Sequence, residues 1–130
     1  MFILSLYWLL SPILWILLPV FAIFTPKLRH HWANQKSTWH LSVERRKEKG
    51  AGKQVVLFHA ASTGEFEQLK PILKKVNRSR YFILLTFFSP TIFNIEKNTP
   101  LADAVCYHPF DFPWSALLFF RKFDIHHYII

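Results

Sequence analysis

Gln54-Val55-Val56-Leu57-Phe58-His59-Ala60-Ala61-Ser62-Thr63-Gly64-Glu65-Phe66 is the stretch on which the fold turns. Residues 54–59 form a short apolar run without alternation, as expected of a strand buried on both faces of a parallel sheet. Small residues follow from Ala60 to Gly64. Phe66, Leu69, Leu73 and Val76 then recur at spacings of three and four, the period of a helix with one apolar face. Pro71 falls within that pattern and predicts either a kink or the true first turn of the helix. Strand, small-residue turn and helix make one β-α unit.

The unit repeats along the chain. Tyr81 to Phe88 predicts a second buried strand. Ser89-Pro90 is a cap followed by proline at the first helical position, with a short helix from Thr91 to Asn98. Val105 to His108 predicts a third strand, Asp111-Phe112-Pro113 opens a helix to about Lys122, and Ile125 starts a fourth strand. Strands alternating with helices imply an α/β fold, a partial Rossmann-like parallel sheet. The run Tyr128-Ile129-Ile130 has no cap or polar tail after it, so on sequence the chain is expected to be cut short.

Upstream, Gly50-Ala51-Gly52 marks a boundary. Residues 26–53 form a basic juxtamembrane segment. Eight basic side chains between Lys27 and Lys53 face only Glu44 and Glu48, which places six of the eight net positive charges there. This segment begins just after the most apolar stretch of the chain, a membrane-flank pattern rather than a nucleic-acid one. A solvated basic linker is the plainer alternative. His30, His31 and His40 lack an accompanying carboxylate or cysteine, so no metal site is expected. Residues 1–25 read as a membrane anchor. No charged side chain occurs from Met1 to Phe24, and about twenty apolar residues suffice to cross a bilayer core. Pro12 and Pro19 leave two forms open, a spanning helix or an interfacial anchor broken at the prolines. A cleaved signal peptide lacks its basic start and small-residue cut site. The positive-inside rule places everything after Lys27 on the cytoplasmic side.

Residues 54–130 remain for the globular part. The sole cysteine, Cys106, lies in an apolar run and is expected to be a buried, unreactive thiol.

The turn after the first strand carries the chemistry. Such turns line the ligand crevice of open α/β sheets. Gly64 lets a ligand approach the backbone, and the first-turn amides of Ser62, Thr63 and Gly64 can meet a polar oxygen. Glu65, placed where the helix dipole favours negative charge, could take a proton from a hydroxyl. By spacing alone a different role comes first. Ser62-x-x-Glu65 matches a capping box, in which the two side chains satisfy orphan amides. His59 fits a satisfied core histidine, though its place at the strand end keeps a functional role open. Walker A and dinucleotide fingerprints are both absent.

HAASTGEFEQLKPI, residues 59–72, resembles the segment of Kdo (3-deoxy-D-manno-octulosonic acid) transferases that reads His-Ala/Cys-x-Ser-x-Gly-Glu. Leu85 to Thr91 resembles that family's second-strand motif ending in Ser/Thr-Pro. Leu101-Ala102-Asp103 and Tyr107 to Pro113 resemble its third-strand region, with Pro-x-Asp-x-Pro intact. Ile92 stands where the family commonly has glycine. The resemblance implies the N-terminal domain of a GT-B fold preceded by a membrane anchor. It also implies inverting transfer from CMP-Kdo to a lipid A precursor at the bacterial inner membrane. The catalytic base would be Glu65, with Ser62, Thr63 and Gly64 as substrate-binding residues. No cofactor, metal or nucleic-acid partner is implied. Most donor contacts belong to a second domain, so the 130-residue chain alone is expected to be inactive. The rival reading is a membrane-tethered remnant or binding fragment without catalysis.

Overall fold

In the computed structural model, which describes residues 2–130 and the side chains of residues 3–130, β1 (Gln54–Ala60) is one of the two inner strands of a parallel sheet. On one side it pairs with β2 (Tyr81–Phe87), which pairs in turn with β3 (Ala104–Tyr107). On the other side it pairs with β4 (Ile125–Ile129). The order is therefore β3-β2-β1-β4, and every pairing is parallel. The chain steps away from β1 through β2 and β3, then crosses back to its opposite flank. That reversal is the topological switch point beside which open α/β sheets bind ligands.

Alternate residues of the strands feed two apolar layers. Val56, Phe58, Ile83, Leu85 and Phe87 pack under α3 (Thr63–Leu73) and α4 (Pro90–Glu96), which contribute Phe66, Leu69, Leu73, Ile92 and Phe93. Val55, Leu57, Phe82, Leu84 and Cys106 face the other way, toward Phe119 and Phe123 of α5 (Pro113–Phe123). Each such side chain, fully buried, is worth roughly 1.5–3 kcal/mol. The Cys106 thiol is sealed in this second layer, and burial raises its proton affinity. β4 differs from the apolar run expected of it, because most of its residues are exposed at the far edge of the sheet. Asp124, in the left-handed conformation at φ 51°, turns α5 into β4.

Pro71 does not mark the first turn of the helix. The helix starts at Thr63, and Pro71 lies in its last turn, where it withholds one amide shortly before the helix ends at Leu73. The basic segment is also more than a flank. Pro26–Lys49 form one helix, α2, laid along the outer edge of β3. Trp39 donates from Nε1 to the Tyr107 carbonyl at 2.7 Å. Ser42 donates to the Val105 carbonyl at 3.2 Å, and the Tyr107 amide donates to Thr38 Oγ1 at 3.3 Å. Those are edge groups that the sheet leaves unpaired, so α2 supplies the partners a fifth strand would have given. Lys27, Arg29, Lys36, Arg45, Lys47 and Lys49 remain exposed.

Phe2–Phe24 form a single helix, α1, with both Pro12 and Pro19 inside it. The segment Ile3–Phe24 is long and apolar enough to cross a membrane, with mean hydropathy 2.1. Its polar-to-small stripe Tyr7, Ser11, Leu18 and Ala22 faces the rest of the chain; the last three are buried. Tyr7 donates to the Asp111 carbonyl at 2.8 Å. Leu18 packs with Phe110, Phe112, Trp32 and Trp114. The Pro109-to-Pro113 loop is thus the seat on which α1 rests.

Candidate functional site

The turn after β1 places Glu65 beyond the carboxyl end of the strand next to the switch point. Ser62 is the N-cap of α3, with an extended backbone, and its Oγ accepts the Glu65 amide at 3.3 Å. Glu65 reaches back, and its Oε2 accepts the Ala61 amide at 2.6 Å. This is the reciprocal arrangement of a capping box, displaced by one residue from its usual amide. Among the described residues, Oε1 has no hydrogen-bond partner. Thr63 and Gly64 are exposed in the first turn. A Cβ added to Gly64 would meet nothing within 4 Å. Packing therefore does not require glycine there, and its absence of side chain leaves open space beside Glu65.

A second group of side chains lies at the same end of the sheet, and of its members only His59 was singled out in the sequence. His59 is the penultimate residue of β1, Thr86 lies near the end of β2, His108 follows β3 and Tyr128 lies in β4. The His59 and His108 rings lie 4.1 Å apart between centroids. Nε2 of His108 is 2.9 Å from the Tyr128 hydroxyl, and its Nδ1 is 3.0 Å from the Pro109 carbonyl. A carbonyl only accepts, so Nδ1 carries the hydrogen and Tyr128 donates to Nε2. Burial, reinforced by His59 and His31, pushes the His108 pKa down to about 4. Burial also lowers that of His59, while the Thr86 carbonyl and the Glu65 charge pull it back up. The one available signal was that a polar residue closes or follows each apolar run.

His31 of α2 is fully enclosed beneath this group. Its two ring nitrogens lie 2.8 Å from the Phe88 and His108 carbonyls, the residues just past β2 and β3. Burial draws its pKa down, and both carbonyls oppose that. The neutral ring serves only one carbonyl at a time, and the imidazolium serves both. The rings of Phe88, Tyr107 and Phe110 pack around it at 4.5–4.6 Å.

Asp103, part of a motif noted in the sequence, is structural. Its Oδ2 accepts the Ile83 amide at 2.7 Å, and its Oδ1 pairs with Arg78 at 2.6 Å. Two grooves lie elsewhere than Glu65. One of about 660 Å³ lies over β1 and β4 beside Ile72 and Tyr81. Another of about 250 Å³ is walled by Trp15, Trp32, Trp39 and Trp114. Glu65 instead stands exposed on the turn beyond β1.

A protein-family model described as 3-deoxy-D-manno-octulosonic-acid transferase (kdotransferase), N-terminal, matches residues 31–130. Comparison with curated proteins and with solved structures yields no match.

Proposed function

The chain belongs to the Kdo transferase N-terminal family, a glycosyltransferase family, and from that premise we propose that it is the acceptor-side domain of an enzyme moving Kdo from CMP-Kdo to a lipid A precursor. In this reading the domain is the first half of a GT-B fold. Glu65 acts as general base. The acceptor hydroxyl oxygen bonds to the anomeric carbon of Kdo, and its proton passes to the carboxylate. The bond from that carbon to the cytidylate oxygen breaks, and its electron pair leaves with CMP. Attack from the face opposite the leaving group inverts the anomeric centre.

The observation that carries the proposal is the position of Glu65. A carboxylate with one uncommitted oxygen stands on the turn after the strand at the switch point, beside a glycine the packing does not need. Ser62, Thr63 and Gly64 would line the acceptor. The apolar α1 and the exposed cations of α2 would hold the domain against the cytoplasmic face of the inner membrane, where anionic headgroups attract them. The capping contact supports a structural role for Glu65 as well. The two roles use different oxygens.

Product formation tests the substrates. The complete enzyme, given CMP-Kdo and lipid A precursor, is expected to release CMP in step with a Kdo-bearing lipid. CMP release without that lipid, or transfer to a different acceptor in preference, would contradict the assignment.

A further inference from the structure

The tautomer of His59 is fixed by its neighbours. Its Nδ1 lies 3.2 Å from both the carbonyl and the hydroxyl oxygen of Thr86. That hydroxyl is already spent as a donor, to the Phe58 carbonyl at 3.2 Å. Both oxygens facing Nδ1 are therefore acceptors, and Nδ1 must carry the hydrogen. In the neutral ring Nε2 is then a bare lone pair. Burial favours that neutral ring, against the opposing pull of the Thr86 carbonyl and the Glu65 charge. Nε2 has no hydrogen-bond partner among the described residues, and it is not among the buried atoms left unsatisfied, so solvent reaches it.

A packing role would be met by either tautomer. Here Thr86, itself fully buried, spends its hydroxyl and carbonyl on setting the ring. The turn that follows carries Glu65, whose uncommitted oxygen is a second acceptor. Two acceptors, one at the end of β1 and one on the turn after it, near enough for the Glu65 charge to act on the His59 ring, suit a ligand that brings several neutral donors. A polyhydroxylated sugar does so.

We infer that His59 is a positioning residue for the acceptor sugar, accepting through Nε2 a hydrogen bond from a second hydroxyl of the molecule whose reacting hydroxyl faces Glu65. The inference rests on the acceptor reading above. Its contribution is orientation: a second anchored hydroxyl restricts rotation of the sugar about the reacting oxygen. The proton stays on the sugar throughout.

The test uses the full chain in detergent micelles, with imidazole nitrogens labelled with ¹⁵N. The probe is the de-acylated, phosphorylated sugar headgroup of the lipid A precursor. At neutral pH, long-range proton–nitrogen spectra are expected to show His59 as the Nδ1–H tautomer. Adding the headgroup should move the Nε2 resonance in the direction of hydrogen-bond acceptance. His59→Phe keeps an aromatic ring against His108 but removes the acceptor, and should bind the headgroup about fivefold more weakly. His59→Gln restores an acceptor near Nε2 and should recover part of the affinity. Amide spectra of both variants check that the fold persists. Headgroup binding that shifts residues 61–65 but leaves Nε2 still, with His59→Phe binding as wild type, would overturn the role of His59 and leave the acceptor reading standing. An Nε2–H tautomer would overturn it too. No headgroup-dependent shift anywhere in residues 59–65 would overturn both.

Discussion

Gly64 separates what the fold needs from what a ligand needs. It occupies the first turn of α3, and a methyl group there would enter empty space. Alanine in a helix is favoured over glycine by up to about 1 kcal/mol. Gly64→Ala is therefore expected to leave the melting temperature unchanged or raised while cutting transfer by about tenfold, because the methyl stands where the acceptor approaches. Melting curves and initial rates on the same preparations decide this; undiminished rates would mean that nothing comes close to Gly64. The histidines make a second prediction at this scale. His108 titrates near 4 in the fold against an ordinary 6.5. Between those values the unfolded chain binds more protons, so stability is full above 6.5 and falls as pH drops toward 4. The loss from this ring is about 3 kcal/mol. The charged or titratable groups facing it are His59 from β1, His31 from α2 and Tyr128 from β4. His108→Gln should flatten the acid limb of a denaturation midpoint plotted against pH, and an unchanged limb would assign it elsewhere. Glu65 and its turn were legible in the sequence, because a carboxylate after small residues at the end of an apolar run has few other places to be. The pairing of His108 with Tyr128 was not legible. The residues lie 20 positions apart and meet only because β4 crosses to the far side of β1.

α2 is the element whose role the sequence concealed. Its helical start and stop are written in Thr25-Pro26 and Gly50. Its buried face is not an apolar stripe. His31, Thr38 and Ser42 are polar, and they are buried because they bond the open edge of β3 and the loops beyond it. A pattern sought as apolar residues at helical spacing passes over such a face, and the surrounding cations draw attention to the membrane instead. The β-α units were legible for the opposite reason: β1, β2 and β3 are buried on both faces, so their sequences are nearly unbroken apolar runs. Trp39 tests the edge role. Trp39→Phe keeps an aromatic ring near Phe119 but leaves the Tyr107 carbonyl without its donor. The expected cost is about 1–2 kcal/mol, read as a lower urea midpoint with unchanged slope. No loss of stability would mean that water replaces the indole at that edge.

At the scale of the whole molecule, three parts converge on one end of the sheet. α2 ties the loops after β2 and β3 through His31, and the loop after β3 in turn seats α1 through Asp111 and Phe110. The apolar helix is thus tied through these loops to the end of the sheet beyond which Glu65 lies. Composition and order along the chain foretold a long apolar helix at the start and an α/β fold after it. The docking of one upon another depended on contacts between residues as distant as Tyr7 and Asp111. The account as a whole stands on Glu65 as base, and one substitution addresses it directly. In Glu65→Gln, the amide oxygen can still accept from Ala61, so the cap survives, and the group that takes the proton is gone. The measurement is the rate of Kdo transfer from CMP-Kdo to lipid A precursor by the complete enzyme and by this variant. A fall of about a hundredfold or more at unchanged melting temperature is the expected result; near-normal transfer would leave Glu65 as a helix cap and remove the basis of the mechanism.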